Sequence, residues 1–263
     1  MSGDPSVASP PVQHPTPLRS VIVVPTYDEA ENIEAFLEAV RRSAPDADVL
    51  VVDDNSPDGT GDLAERRAAE LGQIKVLHRP GKQGLGSAYR HGFEVALDEG
   101  YDVVVSMDVD FSHDPATIPA LIAHIAGGAD AVIGSRYVPG GGTERWPWQR
   151  RVLSRWGNRY TSFILRLPIR DCTSGFRAYR ASALRAIDPA STAAEGYAFL
   201  TELVLRLVRG GYRVEEHPIT FVDRRYGTSK MSARIIRESM MRVTGWGLRD
   251  ARAAVRARFR RGE

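Results

Sequence analysis

Ser20-Val21-Ile22-Val23-Val24-Pro25-Thr26-Tyr27-Asp28-Glu29 decides how the chain is read. Val21 to Val24 form an apolar, β-branched run with no alternation, which predicts a strand buried on both faces. Asp28 stands three residues before Glu31, a spacing that predicts a capping box. Ile33, Phe36, Leu37 and Val40 then recur at helical spacing, so a helix follows the strand. The same unit repeats outward, with strands at 49–52, 75–77, 103–107 and 131–133 and helices at 63–71, 87–97 and 118–125. Such repetition predicts an α/β fold, an open, mostly parallel nucleotide-binding sheet with helices on both faces.

Composition narrows the class. The 263 residues are 43% apolar and 26% charged, with a formal net charge of +2. That supports a sizeable core and excludes disorder of the whole chain. No window approaches 18 uninterrupted apolar residues, so no membrane-spanning helix is expected. No secretory signal is read at the start, and one cysteine, Cys172, allows no internal disulfide. No Cys/His cluster suggests structural zinc, and the expected compartment is the cytosol. Residues 1–19 read as a disordered, proline-rich leader, 20–230 as the main domain, and 231–263 as a basic amphipathic C-terminal helix.

Charge is unevenly spread. Residues 231–263 hold nine Arg against three acids, and 144–170 hold seven Arg against one Glu. Two basic blocks on a mildly acidic body suggest an anionic partner, phospholipid or nucleic acid, unless they are solvated helix faces. Trp146, Trp148, Val152, Trp156, Tyr160, Ile164 and Leu167 recur near helical spacing, with Arg151, Arg155 and Arg159 between them. That pattern suits a membrane interface, or a helix that simply covers the sheet. Phe199 to Val208 reads as a further helix and Val214 to Phe221 as a single strand.

The chemistry sits at predicted strand ends, where open α/β sheets bind ligands. Pro25-Thr26-Tyr27-Asp28-Glu29 ends the first strand and Asp53-Asp54-Asn55-Ser56-Pro57-Asp58-Gly59-Thr60 the second. These carboxylates suit the NH donors of a base or ribose hydroxyls, while a turn or N-cap role remains open for one of Asp53 and Asp54. Met107-Asp108-Val109-Asp110 places two acids at i and i+2 where a strand frays, a pair able to hold one hard cation such as Mg²⁺ or Mn²⁺. His113 nearby reads as a turn or packing residue. Arg136, in Gly134-Ser135-Arg136-Tyr137, is expected at the same rim. Arg224-Arg225-Tyr226-Gly227-Thr228-Ser229-Lys230 forms a cationic loop able to close over a pyrophosphate.

With Asp171-Cys172-Thr173-Ser174-Gly175-Phe176-Arg177 added, these ordered motifs span about residues 20–232. Together they resemble the polyprenyl-phosphate (dolichyl-phosphate) mannose synthases of glycosyltransferase family two. The resemblance implies an A-type glycosyltransferase fold, GDP-mannose as donor and a long isoprenoid monophosphate as acceptor. It places Pro25, Tyr27, Glu29, Val52 and Asp54 in a guanosine pocket, and Asp108 and Asp110 on a metal beside the diphosphate. Val109 then meets the donor through its backbone, and Ser112 falls where some relatives carry a Gln metal ligand. Arg136, Arg224 and Lys230 are assigned to phosphates, with Arg136 and Arg150 on the acceptor phosphate. Asp28 stands where Asn is commoner. The resemblance further implies a peripheral protein on the cytoplasmic face of the membrane, docked on lipid or on a membrane-anchored partner, with no nucleic acid among its partners.

The mechanism follows from the acceptor. A phosphate monoester with a second pKa near 6 is already largely a dianion at neutral pH, so no general base is required. Positioning, charge neutralisation and stabilisation of departing GDP remain, and one in-line attack inverts the anomeric carbon. UDP-glucose as donor, or a non-catalytic module on the same fold, are the competing readings. A dinucleotide oxidoreductase is disfavoured because the first turn lacks G-x-G-x-x-G.

Overall fold

The computed structural model describes residues 18–223 and 233–260. β1 (Ser20–Thr26) runs into α1 (Ala30–Ser43), followed by β2 (Asp48–Asp53), α2 (Thr60–Leu71), β3 (Ile74–His78), α3 (Leu85–Asp98) and β4 (Val103–Ser106). Then come α4 (Ile118–Ala126), β5 (Ala131–Ser135), β6 (Gly142–Glu144), α5 (Trp148–Leu165), β7 (Arg177–Arg180) and α6 (Ala181–Ala186). α7 (Gly196–Arg209), β8 (Val214–Pro218), β9 (Thr220–Val222) and α8 (Ala233–Arg260) complete the order.

Seven strands form one sheet in the order β3-β2-β1-β4-β7-β5-β8, with β6 and β9 paired separately. Successive residues of β1 point to opposite faces, so both faces of its apolar run are used. Ile22 and Val24 pack with Ile33, Phe36 and Leu37 of α1 and with α4. Val21 and Val23 pack with Tyr89 and Phe93 of α3 and with α6 and α7. β1 pairs in parallel with both β2 and β4, so the strand order reverses between β1 and β4. A crevice opens beyond the carboxyl ends of these two strands.

The structure departs from the expected elements in several places, beginning with β6 and α6, which were not expected. β7 was not foreseen, and it runs antiparallel to both β4 and β5. Its Arg177 is fully buried, donating to the carbonyls of Cys172, Ser174 and Leu200, so a charged residue occupies a core position. The single strand expected over 214–221 is broken after Pro218, with β8 staying in the main sheet and β9 leaving to pair with β6. Leu18 packs on the core and Arg19 bonds Asp102, so the fold begins before residue 20; residues 1–17 lie outside the described residues. α8 is no separate appendage, because Val243 joins a core cluster with Leu165 and Leu205. Tyr160 and Thr244 also share a hydrogen bond of 2.7 Å that ties α8 to α5.

The capping role of Asp28 is also corrected. Asp28 has φ +55°, and the N-cap position of α1 is Glu29, which makes no side-chain cap. The backbone N–H groups there are met from the second strand's turn instead. Ala30 N donates to Asp58 Oδ2 at 2.9 Å and Glu29 N to Thr60 Oγ1 at 2.9 Å. A left-handed position is one that Asn also tolerates, which explains why either residue suits this site.

Candidate active site

A cavity of about 470 Å³ fills the crevice at the strand-order reversal. Pro25, Tyr27 and Glu29 from the end of β1, Asp54 after β2, and Asp108, Val109 and Asp110 after β4 all line it. Seven of the expected donor residues therefore converge. Lys82 lies over the Tyr27 ring, 3.8 Å from its centroid. Glu195 at the start of α7 and Glu238 and Ser239 of α8 close the opposite wall.

The two neighbouring acids of β2 divide their roles. Asp53 is structural, accepting from Thr26 Oγ1 at 3.0 Å, Ser56 N at 3.1 Å and Ser56 Oγ at 2.6 Å. Asp54 faces the cavity and is held by an ion pair with Arg79, while Gln83 N donates to its other oxygen at 3.3 Å. Val52 stands apart from its expected partners. Its side chain is fully buried against α3 in the core and does not line the cavity.

Asp108 and Asp110 reach the crevice through a tight turn. β4 ends at Ser106, and Phe111 adopts φ +57°, an uncommon conformation for a bulky residue and one that concentrates at functional sites. The turn lets Ser112 N donate to Asp110 Oδ1 at 3.0 Å. Tyr89 donates to Asp108 Oδ1 at 3.2 Å. Ser112 itself is buried, its hydroxyl lacks a hydrogen-bond partner among the described residues, and it does not line the crevice. Among the described residues no three His, Cys, Asp or Glu side chains converge as a metal cage. Two hard carboxylates facing one crevice still fit a hydrated divalent cation that completes its shell with phosphate oxygens and water.

Arg136 is placed beside this crevice rather than in it. Its backbone N, Nε and one terminal nitrogen donate to Asp171 at 3.0, 2.7 and 2.7 Å, and the same terminal nitrogen donates to Thr173 at 2.8 Å. Asp171 is wholly buried. Burial alone raises its carboxyl, but the Arg136 charge and hydrogen bonds prevail and lower it below the ordinary carboxylate value. His113 packs between Phe176 and Phe221, at 5.2 and 5.0 Å. Burial drives its imidazole down to about 4, with Asp110 opposing and Arg136 reinforcing the shift. It is a neutral packing residue, as expected. Arg150 stacks 4.0 Å over Trp146 and donates to Asp223 at 2.9 Å. Arg224 and Lys230 lie outside the described residues.

Several residues of the site went unread in the sequence. Lys82 and Arg79 sit in Arg79-Pro80-Gly81-Lys82-Gln83-Gly84, a basic glycine-rich loop that follows a strand and could have been singled out. Glu195, Glu238 and Tyr89 carry no local signal, because distant helices bring them in.

An open α/β sheet with paired acids at its strand-order reversal is the arrangement expected of an A-type glycosyltransferase. The pattern of Glycosyl transferase family 2 matches residues 21–188, and the chain belongs to that family. It is 46% identical over 243 residues to the polyprenol monophosphomannose synthase of Mycolicibacterium smegmatis, covering 90% of this chain and 92% of that one. It is 48% identical over 242 residues to the undecaprenyl-phosphate mannosyltransferase of Micrococcus luteus, covering 92% and 99%. Among solved structures, glucosyl-3-phosphoglycerate synthase from Mycobacterium tuberculosis, crystallised with Mn²⁺, uridine diphosphate and phosphoglyceric acid, aligns with a TM-score of 0.64 at 18% identity. That match covers 87% of this chain and 79% of that one, and it bears on the fold, of the A type expected.

Proposed function

We propose that the protein transfers mannose from GDP-mannose to a polyprenyl monophosphate, with inversion, and that it depends on a divalent cation, Mg²⁺ or Mn²⁺. The observation that carries this reading is the shared crevice of Asp108 and Asp110 with Pro25, Tyr27, Glu29 and Asp54. The names of the two mannosyl-transferring relatives support the sugar and the lipid acceptor.

Charge supports the cation. Six carboxylates line the crevice against the single amine of Lys82, and Arg79, Arg90 and Arg242 pair with three of them, Asp54, Glu195 and Glu238. Such a wall repels a nucleoside diphosphate unless a cation intervenes. Asp108 and Asp110 would hold the ion, which would supply Lewis-acid stabilisation to the departing diphosphate. Tyr27 and Glu29 offer a ring face and a carboxylate to the base, and Asp54 is held ready by Arg79. No side chain in the crevice needs to act as a base toward a phosphate dianion. Arg136, fixed by Asp171, and Arg150 are assigned to the acceptor phosphate, and Arg224 and Lys230 to the donor phosphates. Ser112 is kept as the third metal ligand only if its buried hydroxyl turns outward.

No helix among the described residues is long and apolar enough to cross a membrane. Since the acceptor is a lipid, we place the protein peripherally on the cytoplasmic face. Purified protein incubated with labelled GDP-mannose or UDP-glucose, a short polyprenyl phosphate and Mn²⁺ tests the reading. Mannosyl lipid formed from GDP-mannose alone is expected; glucosyl lipid, or no transfer from either donor, refutes it.

A further inference from the structure

A second cavity, of about 780 Å³, opens on the far side of Arg136 between α5 and the 167–170 loop. Arg136, Arg155, Arg159 and Arg170 line it together with Tyr137 and Ser162, and no acid does so among the described residues. Arg155, Arg159 and Arg170 are exposed and form no salt bridge among the described residues, so three like charges share one cavity without a protein counter-charge. Arg155 and Arg159 are also one helical turn apart, where like charges destabilise a helix. A bound anion would relieve this repulsion.

The helix that supplies these arginines has a second uncommon feature. Asn158, Thr161 and Leu165 turn α5 toward the protein. Trp148, Val152, Trp156 and Phe163 form an outer stripe, exposed by 64, 58, 52 and 80%. Arg159 lies three residues after Trp156 and four before Phe163, so the charged cavity and the apolar stripe adjoin. A free anion has no use for the stripe, and a purely apolar partner has none for the arginines. A phosphate attached to hydrocarbon uses both.

We propose that Arg155, Arg159 and Arg170 make the outer part of this cavity a phosphate site for anionic bilayer phospholipids, with Arg136 left to the acceptor phosphate, and that α5 seats the protein on the bilayer with its outer stripe among the acyl chains. The arginines then stand at headgroup level, where aromatic and basic residues are favoured. The site is distinct from the donor crevice, which shares none of its lining residues. The proposal deepens the lipid-acceptor reading but is tested on lipid binding, which does not depend on turnover.

The test compares the full chain with an Arg155→Gln/Arg159→Gln/Arg170→Gln variant by co-sedimentation with vesicles of phosphatidylcholine, with and without phosphatidylglycerol. At about fivefold per arginine, partitioning onto the phosphatidylglycerol vesicles should fall roughly 10²-fold, with thermal melting unchanged. Turnover of a short, water-soluble acceptor phosphate should be unaffected. A second variant, Trp156→Ser/Phe163→Ser, should lose binding to both vesicle types. Equal partitioning of the wild type and the triple variant overturns the proposal. So does a raised KM for the short acceptor with partitioning intact, which would assign the cavity to the acceptor phosphate. Tight binding of inorganic phosphate without vesicles would assign it to a free anion. Binding to native membranes that protease treatment abolishes would assign the stripe to a membrane protein.

Discussion

Tyr89, fully buried on α3, donates its hydroxyl to Asp108 Oδ1 across 3.2 Å. Phe93 and Phe199 stack on its ring at 5.5 and 6.3 Å, so the hydroxyl has little freedom. Burial, then the Asp108 charge, drives the phenol well above its ordinary value, and it remains a donor throughout the working pH range. The carboxylate proposed to hold the cation is thus oriented from behind by a rigid aromatic layer. Tyr89→Phe should weaken Mn²⁺-dependent GDP binding by about tenfold while leaving the melting temperature nearly unchanged. Calorimetric titration of GDP with and without Mn²⁺ checks this, and unchanged affinity in Mn²⁺ would remove Tyr89 from the site.

Asp110 is the sterner case. Asp110→Ala deletes one of the two carboxylates proposed to hold the cation and should cut turnover by about 10²-fold or more at saturating donor. Single-turnover kinetics with Mn²⁺ present measures the loss. Near-normal rates would refute the assignment of the cation to this pair.

The Arg136–Asp171 pair should dominate local stability. Asp171→Asn leaves the guanidinium buried without its counter-charge and should cost about 3 kcal/mol in urea unfolding at pH 7. The Asp171 carboxyl is lowered in the folded state, so the stabilisation is present above the ordinary carboxylate pKa. It is lost as pH falls through the lowered value. The wild type should accordingly lose this part of its stability in strong acid, and the Asn variant should have a flatter acid limb.

Two helical glycines should respond to alanine with opposite signs. A Cβ on Gly92 would lie 2.5 Å from Val23 Cγ1 and 3.0 Å from Val52 Cγ2, where α3 crosses β1 and β2. Overpacking of about 2 kcal/mol should outweigh a propensity gain of about 1 kcal/mol, so Gly92→Ala destabilises. A Cβ on Gly157, in α5, meets nothing within 4 Å, and Gly157→Ala should stabilise by up to about 1 kcal/mol. Urea midpoints of the two variants decide it.

Cys172 is fully buried, and burial pushes its thiol up to about 11. At pH 8 the thiolate fraction is only about 10⁻³, so iodoacetamide should label the folded protein negligibly and the urea-unfolded protein fully. Mass spectrometry before and after unfolding reads the difference.

Much of the fold was legible because its signals are local. Val21 to Val24 reads as a two-sided strand whatever lies beside it, and the acids after the first, second and fourth strands fall at strand ends by chain position alone. That Pro25, Tyr27, Glu29, Asp54, Asp108 and Asp110 share one crevice follows from strands whose order reverses there. β7 was illegible for the opposite reason. Arg177-Ala178-Tyr179-Arg180 is polar on its face, and only carbonyls from Cys172, Ser174 and Leu200 make a buried arginine tolerable.

Residue order alone was enough for the alternation of strands and helices, the family resemblance and the position of each acid along its strand, since these depend on neighbours a few residues away. Which groups face one another was decided by packing. Asp171 drew Arg136 out of the crevice, Val52 turned into the core, Asp58 and Thr60 took over the cap expected of Asp28, and α8 brought Glu238 to the cavity wall. Each of these contacts joins residues that are distant in sequence or set by a turn, so it exists only once hydrophobic burial has closed the chain on itself.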